Sequence, residues 1–519
     1  MEKDKLAMPA PFCGKEFTFT QPNGTKFQVK GWGNQYYAVF ESLDGFTIMK
    51  DPATGYYHYA QVSADGKTLQ PTKIRVGTGD PRFIGIQPGV RIDPSAAKAR
   101  ATENKLHRGL LQWEIRRKQA RIARIKEMVA PGLLYVPSVH HIVGNYVGLC
   151  LLIEFPDIPR MFAQKQVNEF CNEIGYTGFG NNGSVYDYFF EVSSGKLHYN
   201  NIVVPYYRTR NKGSYYKDPK VVYGLRAQEL VLEALADLEA KGFDFSQLTT
   251  DNDGAVRALN VFYAGPNDSV VDNNNKPTGL WPHCDKLLNP YVLRSGKKFV
   301  EYQITNMGKE LTLGTFCHEN GHMICDFPDL YDKGEQSYGV GVFCLMSYGC
   351  CINEKNPVHV CAYLKYQAGW ANTVTDLVNG MSANAVAGQN SFFIHRRNED
   401  EYFILENRDQ TGRDMSLPDA GLAIWHVDER VETSNENEHM TPDSHYECSL
   451  EQADGMNDLE KEIKNGNYGD GRDLFPHQGN NRFADISFPN SKWWDGTSSN
   501  LDIYQIGATG QQITFSVKL

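Results

Sequence analysis

Residues 311–332 read LTLGTFCHENGHMICDFPDLYD, with His318 and His322 four residues apart and Glu319 beside the first. This is the HExxH pattern. On an α-helix, positions i and i+4 lie one above the other on the same face, so both imidazoles reach one metal ion and Glu319 borders the cavity they share. Zinc binds imidazole nitrogen at roughly 2 Å, and a catalytic site uses three protein ligands, a water and a nearby carboxylate that takes the water's proton.

The helix does not supply the third ligand. In a continuous helix Asp326 would stand roughly 12 Å along the axis from His318, too far to share an ion. Phe327-Pro328 marks the end, because a residue preceding proline avoids the α conformation. Beyond it the chain folds back and brings a carboxylate under the metal. Asp329 is the first choice, with Asp326, Asp332 and Glu335 as alternatives.

Residues 344–349, CLMSYG, follow at a short distance and have the form of the Met-turn beneath the metal of metzincin peptidases, with Met346 and a tyrosine, Tyr348, two residues on. HExxH alone occurs by chance in unrelated helices. HExxH, PDLYD and a Met-turn within about thirty residues form a far more specific signature.

The order HENGHMICDFPDLYD, GVGVFCLMSYG, NPVHVCAYLKYQAGW resembles the immune inhibitor A-type metallopeptidases, a family with metzincin-like features. Upstream, GLCLLIEFPDIP, GYTGFGNNGSVYDYFFEVSSGKLHYNNIVVPYY and LNVFYAG are similar to the same family. So, downstream, are EYFILENRDQ, LPDAGLAIWHVDE, GDGRDLFP and NSKWWDGTSSNLDIYQI, which carries the resemblance over most of residues 145–519. It implies a secreted-type zinc endopeptidase whose metal ligands are His318, His322 and Asp329. Glu319 is then the general base, Tyr348 a donor to the tetrahedral oxyanion, and Met346 a soft apolar floor. Two departures stand out. Family members commonly read HExxHxxGxxD, whereas Cys325 occupies the glycine position here and one extra residue precedes Asp329. Glycine there permits a left-handed turn that cysteine adopts at a cost, and the inserted residue lets the chain turn differently.

Composition agrees with an ordinary folded protein. The 519 residues suffice for two or three compact units, hydrophobic residues are 41% and charged ones 22%, and 12% aromatics suit a β-rich chain. A net charge of −10 argues against a nucleic-acid partner. The basic run IRRKQARIARIK at 115–126 dissents, and reads as an exposed helix face. No stretch has the length of a membrane span. The opening MEKDKLAMPAPFCGK lacks the apolar core of a signal peptide, and 11 scattered cysteines suit free thiols in a reducing compartment. These features point to the cytoplasm, whereas the family resemblance points to export.

The expected fold is α+β. A zincin/metzincin-like catalytic domain, with a mixed sheet, an active-site helix and a Met-turn, occupies 145–380 between β-rich N- and C-terminal parts. Residues 1–75 form a β-rich unit similar to the segment preceding the peptidase domain in this family, and many such segments are pro-regions. Residues 76–144 form a loop and helical connector, helical from about 92 to 129, and 381–519 form the β-rich end of the peptidase module. In TTDNDGAV, Asp251 and Asp253 before Gly254 offer oxygen ligands for a calcium loop, with a plain Asx-rich turn as the alternative. His283 and His426, beside tryptophan and acidic residues, are candidates to line a cleft or to be hydrogen-bonded structure.

The expected activity is zinc-dependent hydrolysis of peptide bonds in a protein or peptide substrate by a monomeric, zymogen-type metalloprotease. The alternative is a catalytically silent protein of the same fold that binds peptide or glycan. An intact Glu319 argues against it.

Overall fold

The computed structural model describes residues 11–34, 37–108, 110–128, 141–218, 221, 224–265, 280, 282–334, 336–431, 435, 440–461 and 466–519. Glu335, one of the alternative ligands, lies outside them. The chain begins with an antiparallel meander of six strands, β1 (Phe12–Thr20), β2 (Lys26–Gly33), β3 (Ala38–Ser42), β4 (Thr47–Lys50), β5 (Tyr57–Val62) and β6 (Leu69–Arg75), each paired with the next. Phe12, Phe19, Val29, Phe40, Ile48 and Tyr57 fill its own small core. Two helices follow, α1 (Pro94–Arg108) and α2 (Gln112–Met128), where the sequence pattern reads as one.

The central sheet comprises β7 (Gly144–Glu154), β8 (Leu197–Val203), β9 (Tyr207–Arg208), β10 (Leu259–Tyr263), β11 (His283–Val292) and β12 (Lys298–Asn306). Its order is β11-β12-β10-β7-β8, with β9 on the end of β7, and only the edge strand β11 is antiparallel to its neighbour. β7 shows why the sheet is buried on both sides. Leu149, Leu151 and Ile153 face one core and Cys150 and Leu152 the other, the period of two that a strand imposes. The first core is closed by α6 (Leu225–Ala240), after the single-turn α5 (Gly213–Tyr216). The second lies under α3 (Gln164–Asn172), α4 (Val185–Val192) and α7 (Leu313–Cys325), and continues through α8 (Ala362–Gln367) into the C-terminal strands.

Those strands form two sheets. Thr373–Asp376, Ser391–Arg396, Glu401–Arg408, Gly421–Asp428 and Cys448–Leu450 make a five-stranded sheet; Ser382–Val386, Gln512–Lys518, Asp502–Tyr504 and Phe483–Ala484 make a four-stranded one. Ile394, Ile404 and Trp425 of the first sheet share the core of α7, while Phe403, Leu405 and Ile424 face the second sheet. The mixture of helices and several sheets is α+β. Among the described residues no helix is long and apolar enough to cross a membrane.

A polar ladder joins α7 to the central sheet. Asn320 Nδ2 donates to Asn260 Oδ1 on β10 at 3.1 Å, and Tyr199 on β8 donates to Asn320 Oδ1 at 2.6 Å. Asn260 Nδ2 reaches Tyr199 Oη and Asn201 Oδ1 at 3.0 and 2.7 Å, and Gln303 on β12 donates to Asn260. In an apolar interior, bonds of this kind specify one seat for the helix, because any other strands the amides without partners. Asn260→Leu removes the hub and leaves Asn320 and Gln303 short of partners. We expect a loss of about 1–3 kcal/mol, read as a lower urea midpoint; an unchanged midpoint contradicts the role given to the ladder.

Candidate metal centre

Helix α7 ends where the sequence forces it to. Cys325 is its last residue, and Asp326 takes the left-handed conformation with φ 57° and ψ 29°. Aspartate is among the few non-glycine residues found there with any frequency. The departure at Cys325 thereby finds its physical account: cysteine stays helical, and the turn that the family's glycine would make falls one residue later, matching the one-residue insertion. From Asp326 the chain doubles back through Phe327-Pro328 and delivers Asp329 to the histidines.

Asp329 Oδ1 lies 3.2 Å from His318 Nε2 and 3.0 Å from His322 Nε2, and the two Nε2 atoms are 3.2 Å apart. Three ligand atoms at tetrahedral angles, each ~2 Å from a common ion, stand roughly 3.3 Å apart. The donor set and its spacing therefore fit zinc. His318 Nδ1 lies 3.0 Å from the Leu345 carbonyl and His322 Nδ1 2.6 Å from the Phe327 carbonyl. A carbonyl only accepts, so each Nδ1 carries a hydrogen and each Nε2 is left as the atom that would face a metal ion.

Charge is balanced within the cluster. Burial pushes the Asp329 carboxyl up, but His322, Lys333 and the histidine hydrogen bonds outweigh it and hold Asp329 well below the usual carboxylate range. Lys333 Nζ lies 3.2 Å from Asp329 Oδ2, one helical spacing along the sequence. Burial lowers both imidazoles; the Asp329 hydrogen bond and the Glu319 charge bring His318 up to about 9, while His322 stays lowered. Glu319 is fully buried with Oε1 3.9 Å from His318 Nε2.

The segment at Met346 supports the cluster from below. A Cβ placed on Gly321 would meet Met346 Sδ at 2.7 Å, so the thioether lies directly against α7. The Met346 carbonyl accepts from Leu330 N–H at 2.8 Å, tying the same segment to the loop that carries Asp329. Tyr348 is buried, its ring in contact with Tyr331, Tyr338 and Tyr468; the Tyr331 ring lies 6.3 Å from that of His318.

Residues 148–374, from β7 to just past α8, match the family model of the immune inhibitor A peptidase M6 catalytic domain. Over these residues the chain is similar to the catalytic domain of a metallopeptidase family. No curated protein matches the chain.

The matched domain meets the N-terminal region at the candidate metal centre. The Trp113 ring on α2 stacks on His322, centroids 4.7 Å apart and planes 22° from parallel. Arg116, one turn on, donates from Nε to Asp326 Oδ1 and from Nη2 to the Met323 carbonyl, both at 2.8 Å. Arg117 bonds Glu447 and the Tyr363 hydroxyl. From the end of β2, buried Asn34 donates to the Lys333 carbonyl at 3.0 Å. The basic run at 115–126 is thus not simply an exposed face. Arg116 is 6% exposed, because the carboxylates that compensate its charge come from sequence positions far away.

Other candidates are used structurally. Asp251 Oδ1 accepts from the N–H groups of Asp253 and Ala255, and Oδ2 from Gln112 Nε2 at 3.0 Å. That is the Asx-turn alternative. Among the described residues the metal-type cluster is His318, His322 and Asp329, so calcium at Asp251 and Asp253 finds no support. His283 is buried against the Tyr302 hydroxyl, and His426 is buried between Glu401 and Glu451, stacked on Trp494. His359 precedes α8, and its carbonyl accepts from Leu345 N–H. Lys333, Trp113 and the Asn320 ladder were missed in the sequence. Only Lys333 left a signal there, its i+4 spacing from Asp329.

Glu301 on β12 gives a pH dependence. Burial raises its carboxyl to about 7, with Arg116 and the Gln112 N–H offsetting part of the rise. The folded chain therefore holds this proton where the unfolded chain, with an ordinary value of ~4.3, releases it, and stability falls as pH climbs between those values. Glu301→Gln should flatten that fall, measured as unfolding midpoints across the window; an equal slope in variant and parent contradicts the assignment.

Proposed function

We propose that this protein is a zinc-dependent endopeptidase, and that residues 11–128 cover its active site in a latent arrangement. The observation that carries the first part is the approach of Asp329 Oδ1 to within 3.0 and 3.2 Å of the two Nε2 atoms, with Glu319 alongside. His318, His322 and Asp329 would hold the zinc ion, which supplies Lewis acidity toward water and the scissile carbonyl. Glu319 takes the proton of the attacking water and returns it to the leaving amine, a role that general acid–base catalysis rewards with about 10²–10⁴-fold in rate. The two backbone carbonyls fix the imidazole tautomers, and Lys333 holds the far oxygen of Asp329 so that its partner faces the histidines. Tyr348, on the segment that also carries Met346, is the proposed donor to the oxyanion, worth ~3 kcal/mol in comparable sites.

Latency is supported by burial. His318, Glu319, His322 and Asp329 are all buried, with Trp113 over the His322 ring and Asn34 on the loop of Asp329. A peptide reaches this site once α2 moves. Residues 129–140, between α2 and β7, are the stretch where cleavage would free it.

Glu319→Gln should lower casein hydrolysis by about 10²–10⁴-fold while elemental analysis still finds one zinc per chain; an active variant overturns the general-base assignment. Limited proteolysis in 129–140 should raise the activity of the parent chain; equal activity before and after nicking contradicts latency.

A further inference from the structure

Arg116 sits in a pocket of the catalytic domain that contains more carboxylate than it uses. Besides Asp326 Oδ1 at 2.7 Å, its guanidinium faces Asp251 Oδ2 at 3.8 Å and Glu301 Oε1 at 4.0 Å, both from Nη1 and both beyond hydrogen-bond reach. Arg257 supplies one further cation, 3.4 Å from Asp326 Oδ2. Three carboxylates therefore face two guanidiniums, one of them brought by α2. Asp326 takes the close bonds of Arg116, while Asp251 and Glu301 accept from Gln112 at the start of α2 and have no guanidinium within hydrogen-bond reach.

Glu301 makes the point most directly. It is 2% exposed, Oε2 accepts from Gln112 N–H at 2.8 Å, and Oε1 has no hydrogen-bond partner within the described residues although it points at Arg116. The groups that engage this catalytic-domain carboxylate thus come from residues 112–116, the segment that covers the site. Asp251 shares that partner through Oδ2, which accepts from the side chain of Gln112, while its Oδ1 is held by its own turn. A carboxylate buried with so little compensation from its own domain costs free energy, and such costs recur where a site is built for a ligand.

The pocket is also placed to read a substrate. Trp113 lies on the ring of His322 and Arg116 is three residues further along α2, about 4.5 Å by helical rise. Asp326, at the pocket's centre, is the residue that ends α7 four positions after His322. Successive side chains of an extended peptide advance by about 3.3 Å each, so a residue close to the bond being cut comes within reach of these carboxylates.

We propose that Asp251, Glu301 and Asp326 form a substrate subsite for an arginine or lysine side chain, which Arg116 occupies in cis while α2 covers the metal centre. This rests on the peptidase reading above. A guanidinium entering from a peptide would make the charge-assisted bonds that Arg116 makes, and could close the gaps that Arg116 leaves at Asp251 and Glu301.

The test has two arms on the full chain. In the first, Arg116→Ala vacates the subsite, and thermal unfolding is followed with N-acetyl-arginine amide and with its neutral citrulline analogue. The arginine compound should raise Tm and the citrulline compound should not; no difference between them overturns the subsite, whether or not the protein is an enzyme. In the second, Trp113→Ala and Trp113→Ala/Arg116→Ala chains are loaded with zinc and given a peptide library that retains internal lysine and arginine. Cleavage should show basic residues enriched at one fixed position. Adding Asp251→Asn and Glu301→Gln should cut that enrichment at least about tenfold, the size of a lost buried charge pair. Hydrolysis without basic enrichment overturns the subsite and leaves the peptidase standing. A Tm response to arginine alone, with zinc bound and no hydrolysis of any peptide, overturns the peptidase reading instead. If Arg116→Ala does not fold, Arg116→Gln, which removes the charge and keeps a donor toward Asp326, replaces it in both arms with the same expected outcomes.

Discussion

The left-handed turn at Asp326 is the constraint on which the rest of the site depends. A helix can bring two imidazoles to one point, but not the carboxylate that completes the set, because its next residues on that face recede along the axis. Reversal of the chain at Asp326 is what returns Asp329 to the histidines, at 3.0 and 3.2 Å. The turning residue is not a glycine, and its side chain is put to use: Arg116 and Arg257 hold it from either side. The backbone at the turn serves too, since the Phe327 carbonyl fixes His322.

Around that turn the protein is layered by function. Beneath α7, the asparagine ladder and the Met346 thioether set its depth and rotation against the sheet and the following loop. Above it, α2 lays Trp113 on a metal-site ring and Arg116 on the turn. The same aspartate that shapes the metal centre therefore receives the covering helix, so covering the site and engaging the turn are one event. An extra carboxylate in this neighbourhood would be destabilising without a cation. Three of them, with one cation contributed by a segment that covers the site, mark a surface meant to exchange partners.

Much of this was legible in the sequence, and what was legible was local. His318, Glu319 and His322 follow from helical spacing; Phe327-Pro328 marks a helix end that falls slightly earlier, at Cys325; and a carboxylate just beyond was expected, with Asp329 the first choice over Asp326, Asp332 and Glu335. The apolar runs of β7 and β10 and the amphipathic pattern of α6 lie in their own residues. What escaped is what depends on distant partners. A polar, basic helix reads as solvent-exposed because nothing within it announces Asp326, Asp251 or Glu301, each more than a hundred residues away. Asp251 read as a possible calcium ligand for the same reason, since its partner Gln112 belongs to another module. Asn320, between two site residues, gives no sign in the sequence that it faces the sheet through hydrogen bonds.

The most direct measurement is anomalous scattering at the zinc absorption edge from crystals of the 519-residue chain. The account predicts one strong peak, bonded to His318 Nε2, His322 Nε2 and an Asp329 carboxylate oxygen. A zinc-loaded crystal with no peak there, or with the metal held by other residues, would contradict it.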